Sequence, residues 1–493
     1  MKRRIDGNRI NDRTRNIKGL DNLWNLYVST IRYTSAALRP IAKPCLTLLL
    51  IFGIAATIVS ASARNCFCFA GDIDEFELVE SIPIETNLDN LKIRNTPEVW
   101  LEMINGAKRS LEIEEFYISD APGEPLEPIL NAVADAGRRG VRVRVIVDSR
   151  MYQTYPERAD WFAKQPNVGV RKLNMRNIGG GVMHAKYFVV DGTEVFLGSQ
   201  NFDWRALKHI HEIGCRVKSQ GFARVFVDLF ELDWKLAQGL GGSLDISQPV
   251  NAKSGAGASK AQTGRSVKER IVSSIAHKSY RVPFEGLVAV PYPYGTVTPK
   301  YGSRDSIKVW PGYDPKGLIP DESLWDEPRI VELINGAKRE VNVQLLTYSA
   351  ISGKDYFPNL DDALRAAAAR GVLVKLIASD WAKTHPEIDC LKSLCVIPNI
   401  QVKLSTIPQW SGGFVSYARV EHCKYLVVDD EMSWIGSSNW EKDYFYASRN
   451  VSVIVTSRAM AAMLREVFYK SWDSEYAYAV KPDVQYEPPK RSE

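Results

Sequence analysis

Between about residues 80 and 245, short apolar runs alternate with segments of helical period. Residues 96–106 open on Thr96-Pro97-Glu98, with proline near the first helical position and an acid in the first turn, and predict a helix. Residues 111–118 predict a strand, and 125–137 a helix with Ile129, Leu130, Val133 and Ala136 on one face. Residues 141–147 predict a strand that ends at Asp148. Two adjacent strands are expected across 183–198, another at 213–217, and a helix at 223–236. From 326 to 480 the same order recurs, with an alanine-rich helix at 360–370 and a strand at 372–378. Strand–helix–strand alternation predicts an α/β sandwich. Residues 246–266 are rich in Ser, Gly, Ala and Lys without apolar period and predict a linker. The stretch 283–325, rich in Pro, Tyr and Gly, predicts no regular element, so 246–325 is expected to connect two units.

The two units are copies. Met183-His184-Ala185-Lys186 leads through an apolar run to Asp191 and then to Gly198-Ser199-Gln200-Asn201. Glu421-His422-Cys423-Lys424 leads in the same way to Asp429 and Gly436-Ser437-Ser438-Asn439. His184 and His422 are offset by 238, as are Asn201 and Asn439, Glu212 and Asn450, and Trp234 and Trp472. Upstream, residues 104–109 (INGAKR) recur at 334–339, and Arg139-Gly140-Val141 recurs as Arg370-Gly371-Val372. A period this long indicates a duplicated domain rather than a solenoid.

Residues 1–43 are polar and basic, and 45–63 (CLTLLLIFGIAATIVSASA) carry no charge. A helix needs about 20 apolar residues to cross a bilayer. With basic residues before it and acids after it, residues 44–63 are expected to be a transmembrane signal anchor. The N-terminus is then cytoplasmic, and the body lumenal, periplasmic or extracellular. Alternatives are a cleaved signal ending at Ala61-Ser62-Ala63 and a buried core helix. The net charge of +5 is small and does not by itself imply nucleic acid. Seven cysteines show no metal-ligand spacing. Cys390 and Cys395 are a candidate short-loop disulfide, with free thiols the alternative, and Cys423 is expected to face away from the site.

Each copy offers an imidazole, an ammonium, a hydroxyl and an amide. Face to face, the copies would hold two histidines and two lysines around one phosphodiester. A neutral imidazole can attack phosphorus while an imidazolium protonates the leaving oxygen. Lys186 and Lys424 would neutralise the phosphoryl oxygens, with Ser199, Asn201, Ser437 and Asn439 donating hydrogen bonds. No metal or cofactor is required. On a strand, positions i and i+2 share a face, which puts His184 with Lys186 and His422 with Lys424. Asp191 and Asp429 change parity and are expected to make structural hydrogen bonds. A lone H-x-K is ordinarily an exposed strand edge; its duplication at fixed spacing favours function. His209, His211, His277 and His385 are expected at the surface.

The paired H-x-K-x4-D and G-S-x-N motifs resemble those of the phospholipase D superfamily. The resemblance implies two pseudo-symmetric α/β/α sandwich units (80–245 and 326–480) sharing one active site, and a covalent phosphohistidine. By position it makes His184 the nucleophile and His422 the general acid/base, with Glu212 and Asn450 orienting the imidazoles. A narrower resemblance, through 201–207 (NFDWRAL), 400–404, 417–420 and 471–476, is to single-pass membrane phospholipase-D-like proteins acting as 5′ exonucleases on single-stranded DNA and RNA. The expected activity is therefore a phosphodiesterase acting on single-stranded nucleic acid. Tyr187, Trp204, Tyr425, Trp440, Tyr444 and Phe445 are candidates to stack bases, against a reading as core aromatics. Alternatives are a phospholipase or phosphatidyltransferase and a non-catalytic membrane scaffold. Expected partners are the phosphodiester substrate, the membrane through the N-terminal helix, and a second copy in a homodimer.

Overall fold

The computed structural model describes residues 72–238, 267–290 and 304–492. The basic segment, the candidate anchor at 44–63 and the linker stretch 246–266 lie outside them. Among the described residues no helix is long and apolar enough to cross a membrane.

The repeat forms two mixed sheets. In the first, strands run in the order Arg94–Asn95, Glu75–Ser81, Glu212–Lys218, Glu194–Gly198, Lys186–Val190, Ser110–Glu115, Arg142–Asp148, Val168–Leu173. The second keeps this order from Arg304–Asp314 through Asn450–Thr456, Met432–Gly436, Tyr425–Val428, Glu340–Leu345 and Leu373–Ser379 to Ile400–Ser405. Arg304–Asp314 lies inside the stretch expected to be irregular. It pairs antiparallel with Asn450–Thr456 along seven residue pairs and is the counterpart of Glu75–Ser81. Its burial alternates at the N-terminal end and is continuous at the C-terminal end, and Pro311-Gly312 interrupts it, so no single strand period runs through it.

Helices Thr96–Gly106 and Leu126–Arg138 cover one face of the first sheet, as Asp326–Gly336 and Pro358–Ala369 cover the second. The other faces, with helices Gln220–Gln238 and Arg458–Trp472, contribute to one shared core. Tyr187, Val189, Phe226 and Leu229 from the first half meet Tyr425, Val451, Leu464 and Phe468 from the second there. Burial of this continuous apolar surface is what joins the halves.

The repeated landmarks are structural joints. Asp191 has φ +54° and accepts from the N–H groups of Lys108, Arg109 and Ser110 at 2.6–3.2 Å. Asp429, at φ +55°, does the same for Lys338, Arg339 and Glu340 at 2.7–3.0 Å. The motif aspartates thus tie the strand carrying each histidine–lysine pair to the start of its neighbour. Arg139 and Arg370 donate to carbonyls at the ends of helices Thr96–Gly106 and Asp326–Gly336, where unpaired carbonyls gather. Gly140 and Gly371 follow at φ +93° and +90°, which side chains disfavour.

Candidate active site

The two motifs meet at a seam built from main chain. The N–H of His184 donates to the carbonyl of Arg449 at 2.9 Å, and the N–H of His422 donates to that of His211 at 2.9 Å. Each motif histidine is thereby aligned with the strand entrance of the opposite half. One residue further on, side chains cross the same seam. Nδ1 of His184 lies 3.0 Å from Oδ1 of Asn450, and Nδ1 of His422 lies 2.7 Å from Oε2 of Glu212. Each imidazole is oriented by the other copy's residue.

His184 and His422 are 6% and 9% exposed, and Lys186 and Lys424 are fully buried. Each lysine folds back on its own motif, donating from Nζ to the carbonyl of His184 at 2.7 Å or of His422 at 2.9 Å. Burial, then the two ammonium groups, holds both imidazoles well below their ordinary pKa. Burial and the neighbouring Lys424 likewise lower Lys186. Burial pushes Lys424 down to about 8 against the pull of Glu212. Cations crowded in a dry site form a place for an anion. Burial also pushes the Glu212 carboxyl up, against the pull of Lys424.

Ser199 and Ser437, expected to donate to phosphate, here use their hydroxyls beside the two orienting residues. Their hydroxyls bond the main chain of Ile213 and Val451, and Ser437 also donates to Oδ1 of Asn450 at 3.0 Å. They hold the strands that present Glu212 and Asn450. Asn201 and Asn439 are buried, and among the described residues their side-chain oxygens have no partner. Asn450 heads the Asn-x-Ser sequence 450–452 and is fully buried, which bars it from accepting a glycan.

Other expectations change. Tyr187, Tyr425, Trp440 and Phe445 are fully buried core residues, leaving Trp204 and Tyr444 of the base-stacking candidates. Tyr444 packs edge-on against the His184 ring at 5.0 Å, and Phe116 packs against it at 4.9 Å. Beside Tyr444 opens a cavity of about 520 Å³ whose lining sets Arg150 and Arg176 among Asp148, Glu441 and Asp443, beside the Gly180-Gly181 turn. His209 and His211 are buried, not surface residues, because the loop ending at Val420 closes over them from the second half. Cys390 and Cys395 are free; they sit on one helix five residues apart, and that spacing points their side chains in different directions. Cys423 is buried in the shared core, away from the site.

Sequence reading missed Phe116, Asp233 and Arg449. A signal existed in residues 111–116 (LEIEEF), where Glu114 and Glu115 interrupt a buried strand. Buried carboxylates need partners, and Glu114 accepts from the hydroxyl of Tyr187 at 2.8 Å.

A family model described as "Cardiolipin synthase, PLD-like domain" matches residues 100–234 and 330–472, one match per half. The chain belongs to the phospholipase D superfamily. It is 28% identical over 434 residues to phospholipase D Z of Dictyostelium discoideum, covering 84% of this chain and 92% of that protein. It is 28% identical over 441 residues to the 5'-3' exonuclease PLD3 of Bos taurus, covering 82% and 80%. It is 27% identical over 429 residues to the virion nicking-joining enzyme of Vaccinia virus (strain Western Reserve), covering 81% and 88%. The phosphatidylserine synthase structure from Haemophilus influenzae Rd KW20 shares the fold, with TM-score 0.52 and 13% identity over 78% of this chain and 85% of that one. As a phospholipase D superfamily enzyme, this chain is a phosphodiesterase.

Proposed function

We propose that the enzyme cleaves phosphodiesters of single-stranded nucleic acid through a phosphohistidine on His184. The observation that carries this reading is the unequal pair of partners at the two imidazoles. The Asn450 carbonyl accepts from Nδ1–H of a neutral His184, which leaves the Nε2 lone pair for attack. The Glu212 carboxylate favours the protonated form of His422. An entering phosphodiester anion offsets the two ammonium charges that depress His422, so substrate itself helps to protonate the acid.

Nε2 of His184 attacks phosphorus as the bond to the leaving oxygen breaks, and His422 gives that oxygen its proton. His422 then takes a proton from water, whose oxygen displaces His184 from phosphorus. Lys186 and Lys424 neutralise the non-bridging oxygens in both steps. Nucleic acid is favoured by the names of two relatives, an exonuclease and a nicking-joining enzyme. A phospholipid phosphodiester is the second reading, favoured by relatives named phospholipase D. Residues 44–63 are proposed to anchor the body outside the cytoplasm. Turnover of a 5′-hydroxyl single-stranded oligonucleotide beside phosphatidylcholine and phosphatidylglycerol vesicles separates the readings. Cleavage of lipid alone would overturn the first; inertness toward all three would favour a scaffold.

A further inference from the structure

Directly behind the Glu212–His422 contact lies a second pair that this scheme does not use. His211 and Glu421 are both fully buried. Nδ1 of His211 lies 2.8 and 2.9 Å from the two carboxylate oxygens of Glu421. They come from different halves and face each other as a parallel bridge. Main-chain bonds flank the pair, from the N–H of His211 to the carbonyl of Val420 at 3.1 Å and from the N–H of His422 to the carbonyl of His211 at 2.9 Å. Residues 211 and 212 therefore meet 421 and 422 rung against rung, the ion pair first and the catalytic contact next.

Burial opposes charge on His211, but Glu421, and beyond it Glu80 on strand Glu75–Ser81, outweigh it and raise its pKa. Burial also opposes charge on Glu421, yet His211, with hydrogen bonds from Gln344 and Cys423, holds it below its ordinary value. Burial lifts Glu80 to about 8, and it accepts from the N–H of Asn90 at 2.8 Å. With these neighbours counted, the pair is an imidazolium facing a carboxylate. Breaking such a pair leaves a buried charge alone.

The matching rung of the other copy is different. Arg449 and Met183 form the equivalent bridge, and the Arg449 guanidinium is held by Asp233 at 2.7–2.8 Å and by the carbonyls of Asp314 and Leu318. A guanidinium does not lose its proton in a protein, whereas an imidazole does.

We infer that the His211–Glu421 pair is a positioning element that sets the register at which Glu212 meets Nδ1 of His422, and that it makes this side of the site sensitive to alkaline pH where the Arg449 side is not. The inference rests on the reading of His422 as the general acid/base. Because the folded pKa of His211 is raised, the pair is intact at low pH and is lost as pH rises through that value.

The test uses Glu421→Gln, His211→Asn and the double variant in the full chain. Turnover is read on bis(p-nitrophenyl) phosphate, which reports phosphodiester cleavage whatever the natural substrate. Ring signals of ¹⁵N-labelled histidine are read by NMR. Glu421→Gln is expected to lower kcat about tenfold to a hundredfold while KM changes little, as a displaced catalytic group does. Its alkaline limb moves, and the ring signals of His422 shift while those of His184 stay. The double variant, joined by a neutral amide–amide bond, recovers part of the loss. Unchanged kcat and unchanged His422 signals in Glu421→Gln would overturn the inference, as would equal shifts at both motif histidines. If the single variant does not fold, the double variant's alkaline limb and His422 signals decide. If the wild type fails to cleave the probe, the reaction scheme falls while the ring signals still decide the positioning role.

Discussion

The side-chain oxygen of Asn450 sits 3.0 Å from Nδ1 of His184, 266 positions earlier in the chain. Glu212 reaches His422 across the same seam from 210 positions away. Neither copy of the repeat holds a complete imidazole with its orienting partner, so the halves make one site between them.

Replacing either imidazole tests the covalent scheme. His184→Ala and His422→Ala are expected to abolish turnover with circular dichroism unchanged. His422→Asn is expected to trap phosphate on His184, detected by mass spectrometry of the acid-labile adduct kept at alkaline pH. Phosphate found on His422 in a His184 variant would exchange the two roles.

Burial and the two ammonium groups keep His184 neutral, and the amide at 450 brings no negative charge to oppose them. Asn450→Asp places a carboxylate there, which raises the His184 pKa. The acid limb of kcat/KM is then expected to move to higher pH, because more acid protonates the nucleophile at a given pH. A pH–rate profile that does not move would separate Asn450 from His184 function.

Burial pushes the Lys424 ammonium down to about 8. Above that pH it loses the charge that neutralises the phosphoryl oxygens, so kcat/KM is expected to fall. Bound phosphodiester stabilises the ammonium, so the alkaline limb of kcat lies higher than that of kcat/KM. Coincident limbs would contradict this.

The two ammonium groups supply the positive charge the scheme needs. Activity is expected to survive dialysis against EDTA. A chelator-dependent loss restored by a divalent cation would require a different mechanism.

The motif aspartates bear on stability rather than chemistry. Burial opposes charge on Asp429, but the N–H groups of Glu340, Lys338 and Arg339 outweigh it and lower its pKa. Asp429→Ala is expected to cost about 1–2 kcal/mol, the scale of a lost multi-bond cap. A depressed carboxylate contributes its stability above its ordinary pKa, and that contribution fades as pH falls through the folded value. Urea denaturation should therefore show the largest gap from wild type near neutral pH and a smaller one in strong acid. Activity per folded molecule should stay near that of wild type.

Much was legible along the chain because the information is local and repeated. Period-2 and period-3.6 patterns mark the strands and helices, and the fixed offset between copies singles out His184, Lys186, His422 and Lys424. The role of Asp191 and Asp429 also follows locally, from their place at the end of an apolar strand. The strand Arg304–Asp314 was hidden, since its burial depends on a sheet partner more than a hundred residues away.

What the sequence by itself determined, then, is the duplicated α/β unit and the residue types gathered in each motif, since periodicity and spacing are written in consecutive positions. Tertiary structure alone decided which half's residue reaches which imidazole, that Ser199 and Ser437 use their hydroxyls beside the two orienting residues, and that His211 lies buried against Glu421. Those facts depend on two surfaces far apart in the chain closing over one core, and no short-range pattern carries the register at which they meet.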